Sequence, residues 1–136
     1  MRKYIIILFS LSALLFSACE KDTGPVIIKP FIPEDTTVNF ANDIQPIFNA
    51  NCIHCHNQIH PFLNLLSCCS WEELVINPTS FWGNYLDTLS PTESYLYIRV
   101  AGMGQSPPEM PPGGPYLGQE ETDLILKWIQ QGAKNN

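Results

Sequence analysis

The chain has 136 residues, of which 45% are hydrophobic and 15% charged, and it carries a formal net charge of −6. This length and composition are typical of one globular domain with one compact core. The acidic charge repels nucleic acid and anionic lipid surfaces and favours basic partners, so we do not expect a nucleic-acid-binding role.

The first eighteen residues have the pattern of a signal peptide. Arg2 and Lys3 precede the apolar run YIIILFSLSALLFSA, which is too short for a permanent membrane-spanning helix. The run ends in LFSAC, which resembles the lipobox of bacterial lipoproteins, and this resemblance implies that Cys19 is acylated and becomes the new N-terminus. The alternative is ordinary secretion with cleavage near Ala18. In both cases we expect the chain to leave the cytoplasm, and with the lipid anchor we expect it in the bacterial cell envelope, on the periplasmic side or the cell surface.

Residues 19–38 are predicted to form a flexible tether between the lipid and a domain at 39–136. The stretch EKDTGPVIIKPFIPEDTTV contains three of the twelve prolines, which remove backbone donors and favour extended backbone. Loss of the signal peptide would leave five basic residues against thirteen acidic ones, a formal charge of −8. Such a surface would favour basic partner proteins by electrostatic steering.

Helical patterns are predicted at both ends of the domain. The stretch NFANDIQPIFNANC has apolar residues at helical spacing, with Asn42 or Asp43 available to cap the first turn and Pro46 tolerated within it. The stretch QEETDLILKWIQQ is acidic at its start and ends before Gly132. Its apolar side consists of Leu124, Ile125, Trp128 and Ile129.

Two further helices are predicted between these. SWEELVI begins with a capping-box pair, Ser70 and Glu73, and SPTESYLYIRVAG repeats it with Ser90 and Glu93 before stopping at Gly102. No stretch alternates like a β-strand, so the predicted fold class is all-α, with about four short helices. Helices this short are marginal alone and the connecting loops are long, which suggests a cofactor with a large apolar face at the centre.

The stretch Cys52-Ile53-His54-Cys55-His56 has the C-x-x-C-H pattern of covalent c-type haem attachment. Two thiols at this spacing can add across the two vinyl groups of one porphyrin and form thioethers. The histidine directly after the second thiol is placed to coordinate the iron from the proximal side. We therefore predict Cys52 and Cys55 as the attachment sites and His56 as the proximal iron ligand.

A zinc site and a redox dithiol are the alternatives. A formal zinc set places two ligand pairs next to each other, whereas structural zinc sites usually separate the pairs by a dozen or more residues. That set is Cys52, Cys55, His56 and His60, with Cys68 or Cys69 as possible substitutes. A redox C-x-x-C motif needs a strand before it, and here a helix is predicted instead.

A second axial ligand is expected downstream of the motif. Met110 lies in PPEMPPGG, where prolines on both sides fix the backbone and can present the thioether without a helix. Met103 lies between glycines in AGMGQ, which would hold it poorly. His54 points from inside the attachment loop, and His60 is the candidate for bis-histidine ligation. We predict Met110 as the distal ligand.

Taken together, FANDIQPIFNANCIHCH and EMPPGGPYLGQEETDLILKWIQQGAKNN resemble the small single-haem c-type cytochrome domains of bacterial envelope proteins, which have the class I fold. The similarity covers about Phe40 to Ala133 and includes SPTESYLYIRV. It implies one covalent haem wrapped by the helices, with the first and last helices packed together near the haem edge. It also implies an apolar haem lining from Phe48, Leu96 and Trp128, whose alternative is ordinary core.

The resemblance implies one-electron transfer with His56 and Met110 as axial ligands, by an electron carrier that is not itself an enzyme. Its partners would be redox proteins of the cell envelope, and the membrane would be reached through the N-terminal lipid. Two other classes stay open: a haem enzyme or gas sensor with an open distal face, and a structural zinc-binding lipoprotein. Cys68 and Cys69 depart from the family pattern, and either a strained disulfide or two separate thiols is possible there.

Overall fold

The computed structural model describes residues 35–59, 63–76, 84–103 and 109–136. The predicted signal peptide, Cys19, most of the tether and His60 lie outside these ranges. Within them the chain is helical and contains no β-strand, as the all-α prediction requires. Three α-helices position the site: α1 (Gln45–Asn51), α2 (Tyr95–Val100) and α3 (Gln119–Gln130).

Helix α1 follows directly from a π-helical turn at Phe40–Ile44. The cap of this turn is Asn39, whose Oδ1 accepts a hydrogen bond from the amide of Asn42 at 2.9 Å. The predicted cap at Asn42 or Asp43 is therefore wrong by three or four positions. The Asp43 carboxylate still takes part, because it accepts a hydrogen bond from the Asn39 amide at 2.7 Å and so closes the turn from the other side.

The segment predicted from SWEELVI forms a π-helical turn at Glu72–Ile76 after a short helical start at residues 70–71. Ser70 does not act as the predicted cap. Its side chain is fully buried, and its hydroxyl donates to Oε1 of Gln45 on α1. The serine therefore joins two segments of the chain, and the capping-box prediction fails because a tertiary hydrogen bond uses the same hydroxyl.

Helix α2 begins later than its sequence signals predict. The residues Pro91–Glu93 form a separate 3₁₀ turn after Ser90, whose side chain makes no capping hydrogen bond. The residue before α2 is Ser94, which is fully buried and accepts a hydrogen bond from the Asp87 amide at 2.8 Å. The predicted stop is confirmed, because Gly102 follows α2 with a φ of +65°, a conformation that favours glycine.

Helix α3 confirms its prediction most closely. It is preceded by Gly118, whose amide donates to the Glu121 carboxylate at 2.9 Å, and it is followed by Gly132 with a φ of +90°. Three residues of the predicted apolar face are fully buried, and Leu124 is half-buried against the core. The fully buried residues are Ile125, Trp128 and Ile129.

The two ends of the domain pack together. The Phe40 and Trp128 rings lie 5.2 Å apart between centroids, and the Ala41 amide donates to the carbonyl of Asn136 at 3.1 Å. Val38, at the end of the predicted tether, is buried in the same core and donates its amide to Gln131 at 2.9 Å. Among the described helices, none has the length and apolar character needed to cross a membrane.

Candidate functional site

The C-x-x-C-H motif forms a tight turn at the end of α1. The Cys52 amide donates to the carbonyl of Phe48 at 2.8 Å, which continues the helical pattern for one more residue. The amides of Cys55 and His56 then both donate to the Cys52 carbonyl, at 3.1 and 2.8 Å. These bonds fold the motif back on itself. Neither Cys52 nor Cys55 is in a disulfide.

The segment after the motif is tied back to it through Leu65. The Leu65 amide donates to the carbonyl of His56 at 2.9 Å, and the Leu65 carbonyl accepts from Nε2 of Gln45 at 3.0 Å. Gln45 is only 6% exposed and also accepts from the buried Ser70 hydroxyl. The position of His56 therefore depends on a polar network that reaches α1.

A cleft of about 190 Å³ brings together all four residues that the sequence predicts for haem binding, although Met110 lies in the distant C-terminal half of the chain. Its lining consists of Asn51, Cys52, Cys55, His56, Val100, Met110, Pro111, Pro112 and Leu117. The volume is below the 300–1,000 Å³ of typical small-molecule pockets. Asn51, Val100 and Leu117 are lining residues that the sequence reasoning missed.

Met110 is held at the cleft by its own backbone. Its amide donates to the carbonyl of Arg99 in α2 at 2.8 Å, and its side chain is half-buried. The alternative ligand Met103 is 60% exposed and does not belong to the lining. His54 is exposed and also absent from the lining, whereas His60 lies outside the described residues.

The thiols of the motif differ in their surroundings. Cys52 is half-buried, and this burial, with the nearby Glu121 carboxylate as the smaller cause, raises its pKa to about 11. Glu121 is fixed in place because one of its oxygens accepts from Nδ2 of Asn51 at 3.2 Å and the other from the Gly118 amide. Cys52 is therefore neutral near pH 7, while Cys55 is exposed to solvent.

Arg99 is a buried cation beside the same site. It is 9% exposed, its guanidinium lies 5.4 Å from the centre of the Tyr95 ring, and it donates to the Tyr95 hydroxyl at 3.0 Å. Its Nε is buried without a hydrogen-bond partner, and no ion pair to it occurs among the described residues. A buried charge is stabilised by a partner, so an anionic group bound beside Arg99 would be favourable there.

These residues fit a haem by their chemistry. Two thiols with vinyl-reactive spacing, an imidazole and a thioether line one cleft. The buried guanidinium of Arg99, whose Nε has no hydrogen-bond partner among the described residues, lies one residue before the lining residue Val100. The porphyrin of a haem is apolar on its faces and carries two propionate carboxylates. The apolar faces match the apolar lining residues such as Val100 and Leu117, and the carboxylates match the guanidinium of Arg99.

Other predicted site residues lie elsewhere. Phe48, Leu96 and Trp128 are buried in the hydrophobic core and do not line the cleft, so the alternative reading of these residues as ordinary core describes their observed position. Cys68 and Cys69 form a disulfide with each other. In the described part of the chain, no cluster of three or more His, Cys, Asp or Glu side chains is arranged to hold a metal ion.

No family model matches the chain, and no curated protein or solved structure matches it.

Proposed function

We propose that the chain is a lipid-anchored electron carrier with one covalently attached haem, held by His56 and Met110 as axial ligands. The observation that carries this proposal is the composition of the cleft. Residues of the C-x-x-C-H motif and a methionine from the far half of the chain line the same small space. The motif alone would allow several functions, whereas the addition of Met110 favours a closed axial pair.

The chain's own residues would hold the cofactor and limit its motion. Cys52 and Cys55 would bind the macrocycle through thioethers, and Arg99 would compensate the charge of its carboxylates. His56 and Met110 would hold the iron from two segments that are each fixed by backbone hydrogen bonds. When bound, a haem supplies an iron that accepts and returns one electron, and no side chain needs to move a proton for this.

The nature of the ligands sets the expected direction of the reduction potential. Methionine opposite histidine raises the potential, and hydrogen bonding and burial around the iron tune it further. The cleft lining includes the apolar side chains of Val100 and Leu117, and an apolar surrounding of the iron would act in the same direction. We therefore propose a carrier of relatively high potential.

The proposed place of action is the bacterial cell envelope. The LFSAC resemblance supports acylation of Cys19, and stable attachment requires more than one acyl chain. Partners would be redox proteins with basic docking surfaces, because the mature chain would carry a charge of −8.

Mass spectrometry of the denatured chain tests the attachment. The protein is produced in an oxidising compartment with a haem supply and is then unfolded in acid before measurement. We expect the mass of one haem to remain on the chain and to be lost from the mass in Cys52→Ala, Cys55→Ala double variants. A wild-type chain without added mass would contradict the proposal and would favour the zinc or dithiol alternatives.

Absorption spectroscopy tests the distal ligand. The ferric protein should show the weak long-wavelength band of methionine thioether ligation, and Met110→Ala should remove it while the covalent haem remains. Met103→Ala is the matched control and should keep the band, because Met103 lies outside the cleft lining. An unchanged spectrum in Met110→Ala would refute this ligation, and a ferric wild-type protein without the band would favour the haem enzyme or gas sensor with an open distal face.

A further inference from the structure

Cys68 and Cys69 form a disulfide between neighbouring residues, in the turn at residues 67–69. Cys68 is exposed and Cys69 is half-buried, so the bond lies at the surface of the domain. Neither residue lines the cleft, and neither takes part in the proposed haem attachment. The pair is therefore a separate chemical group on the same domain.

A disulfide between neighbours is unfavourable for geometric reasons. The Cα atoms of Cys68 and Cys69 are 3.8 Å apart, whereas disulfides usually join Cα atoms 4.4–6.8 Å apart. Deviations from the usual geometry make a disulfide easier to reduce, and exposed or strained disulfides are the ones that exchange with other thiols. Exchange also requires that an attacking thiol can reach one of the two sulfurs, and Cys68 is exposed to solvent.

The turn that holds this pair is connected to the motif by hydrogen bonds. The amides of Cys69 and Ser70 both donate to the Leu66 carbonyl at 2.9 Å. The next residue towards the N-terminus, Leu65, donates its amide to the carbonyl of His56. On the other side, the buried Ser70 hydroxyl donates to Gln45, which itself donates to the Leu65 carbonyl. A change in the turn can therefore reach Leu65 by two routes, along the backbone through Leu66 and through the side chains of Ser70 and Gln45.

We propose that Cys68–Cys69 is a thiol–disulfide exchange site for small thiol reductants, and that its redox state controls the order of the segment next to His56. A reductant thiolate attacks the exposed Cys68 sulfur, the Cys68–Cys69 bond breaks, and Cys69 leaves as a thiolate. A second reductant thiol then attacks the mixed disulfide and releases Cys68. The protein gains two electrons and two protons, and the two reductant thiols become one disulfide.

Alkylation under native conditions tests the exchange step. The full chain is incubated with millimolar glutathione without denaturant, alkylated and digested, and the two positions are read by peptide mass. We expect no label before reduction and one label on each of Cys68 and Cys69 afterwards. Label on both residues in the untreated protein, or a disulfide that resists glutathione until denaturant is added, would overturn the proposal. Peptide mapping reads these positions separately from Cys52 and Cys55, so the result does not depend on haem attachment.

Hydrogen exchange tests the effect on the neighbouring segment. Reduction should increase the exchange rate of the Leu65 amide several-fold, and the double variant Cys68→Ser, Cys69→Ser, which cannot form the bond, should behave like the reduced protein. The Ile129 amide in α3 is an internal reference that should keep its rate, because this residue is fully buried in another element. Equal Leu65 exchange in the oxidised and reduced forms would refute the proposed control.

Discussion

Gln45→Met is the sharpest test of the polar network that supports the site. Methionine has nearly the length of glutamine and can fill the same volume, so the change removes hydrogen bonds with little change in packing. Gln45 is 6% exposed; its Nε2 donates to the carbonyl of Leu65, and its Oε1 accepts from the hydroxyl of Ser70. Leu65 and Ser70 are both buried. Leaving a buried polar group unsatisfied costs about 1–3 kcal/mol, and the Ser70 hydroxyl can rotate towards another acceptor. We therefore expect a loss of about 2–4 kcal/mol in the free energy of unfolding.

Equilibrium urea unfolding followed by far-ultraviolet circular dichroism measures this loss, with the slope of the transition checked for two-state behaviour. Ser70→Ala should cost less, about 1–2 kcal/mol, because it leaves only one group without its partner. The double variant should cost less than the sum of the two, since both changes remove one shared hydrogen bond. Asn49→Ala is the matched control: its side chain also bonds to Gln45 but is exposed, so its cost should stay within about 0.5 kcal/mol. A cost below about 0.5 kcal/mol for Gln45→Met would refute the network argument.

Three further predictions follow from other parts of the domain. In the haem-free chain at pH 8, iodoacetamide should label exposed Cys55 well before Cys52, because burial raises the pKa of Cys52 from 9.0 to about 11. The Cys52 thiol ionises at lower pH in the unfolded chain than in the folded one, so the free energy of unfolding should fall as the pH rises from 9 to 11. Gly102→Ala should lower the thermal midpoint more than Gly113→Ala: both have positive φ, but only at Gly102 would an added Cβ meet a carboxylate. Trp128→Ala should cost about 3–5 kcal/mol in urea unfolding, because this side chain is fully buried.

The helices could be predicted where the deciding interactions are local. Helix α3 follows from its apolar face, its acidic first turn and Gly132, all of which lie within the helix or beside it. The serine caps could not be predicted in the same way. Ser70 bonds to a residue 25 positions earlier, so a long-range contact uses the hydroxyl that the local pattern assigns to capping, and Ser90 makes no capping hydrogen bond.

In the candidate site too, the features with a local sequence pattern could be predicted and those that depend on tertiary packing could not. The C-x-x-C-H motif and the proline-flanked Met110 were identified because each has a recognisable local pattern, and the structure brings them into one cleft. The burial of Arg99 has no such pattern, since an arginine in an amphipathic helix is usually solvent-exposed. The resemblance implies Trp128 as a lining residue, with ordinary core as the alternative; Trp128 is buried in the core, and apolar character alone does not distinguish a cofactor wall from the core.

The proposed ligand pair is held in place by backbone hydrogen bonds. The amide of His56 donates to Cys52 and its carbonyl accepts from Leu65, while the amide of Met110 donates to the carbonyl of Arg99. Because these bonds involve no atom that would contact an iron, they can persist in both oxidation states. A ligand held on such a support loses little conformational entropy on binding and moves little when charge changes. Small structural change on gain or loss of an electron is what an electron carrier requires, and a sensor with an open distal face would have no need to fix Met110 in this way.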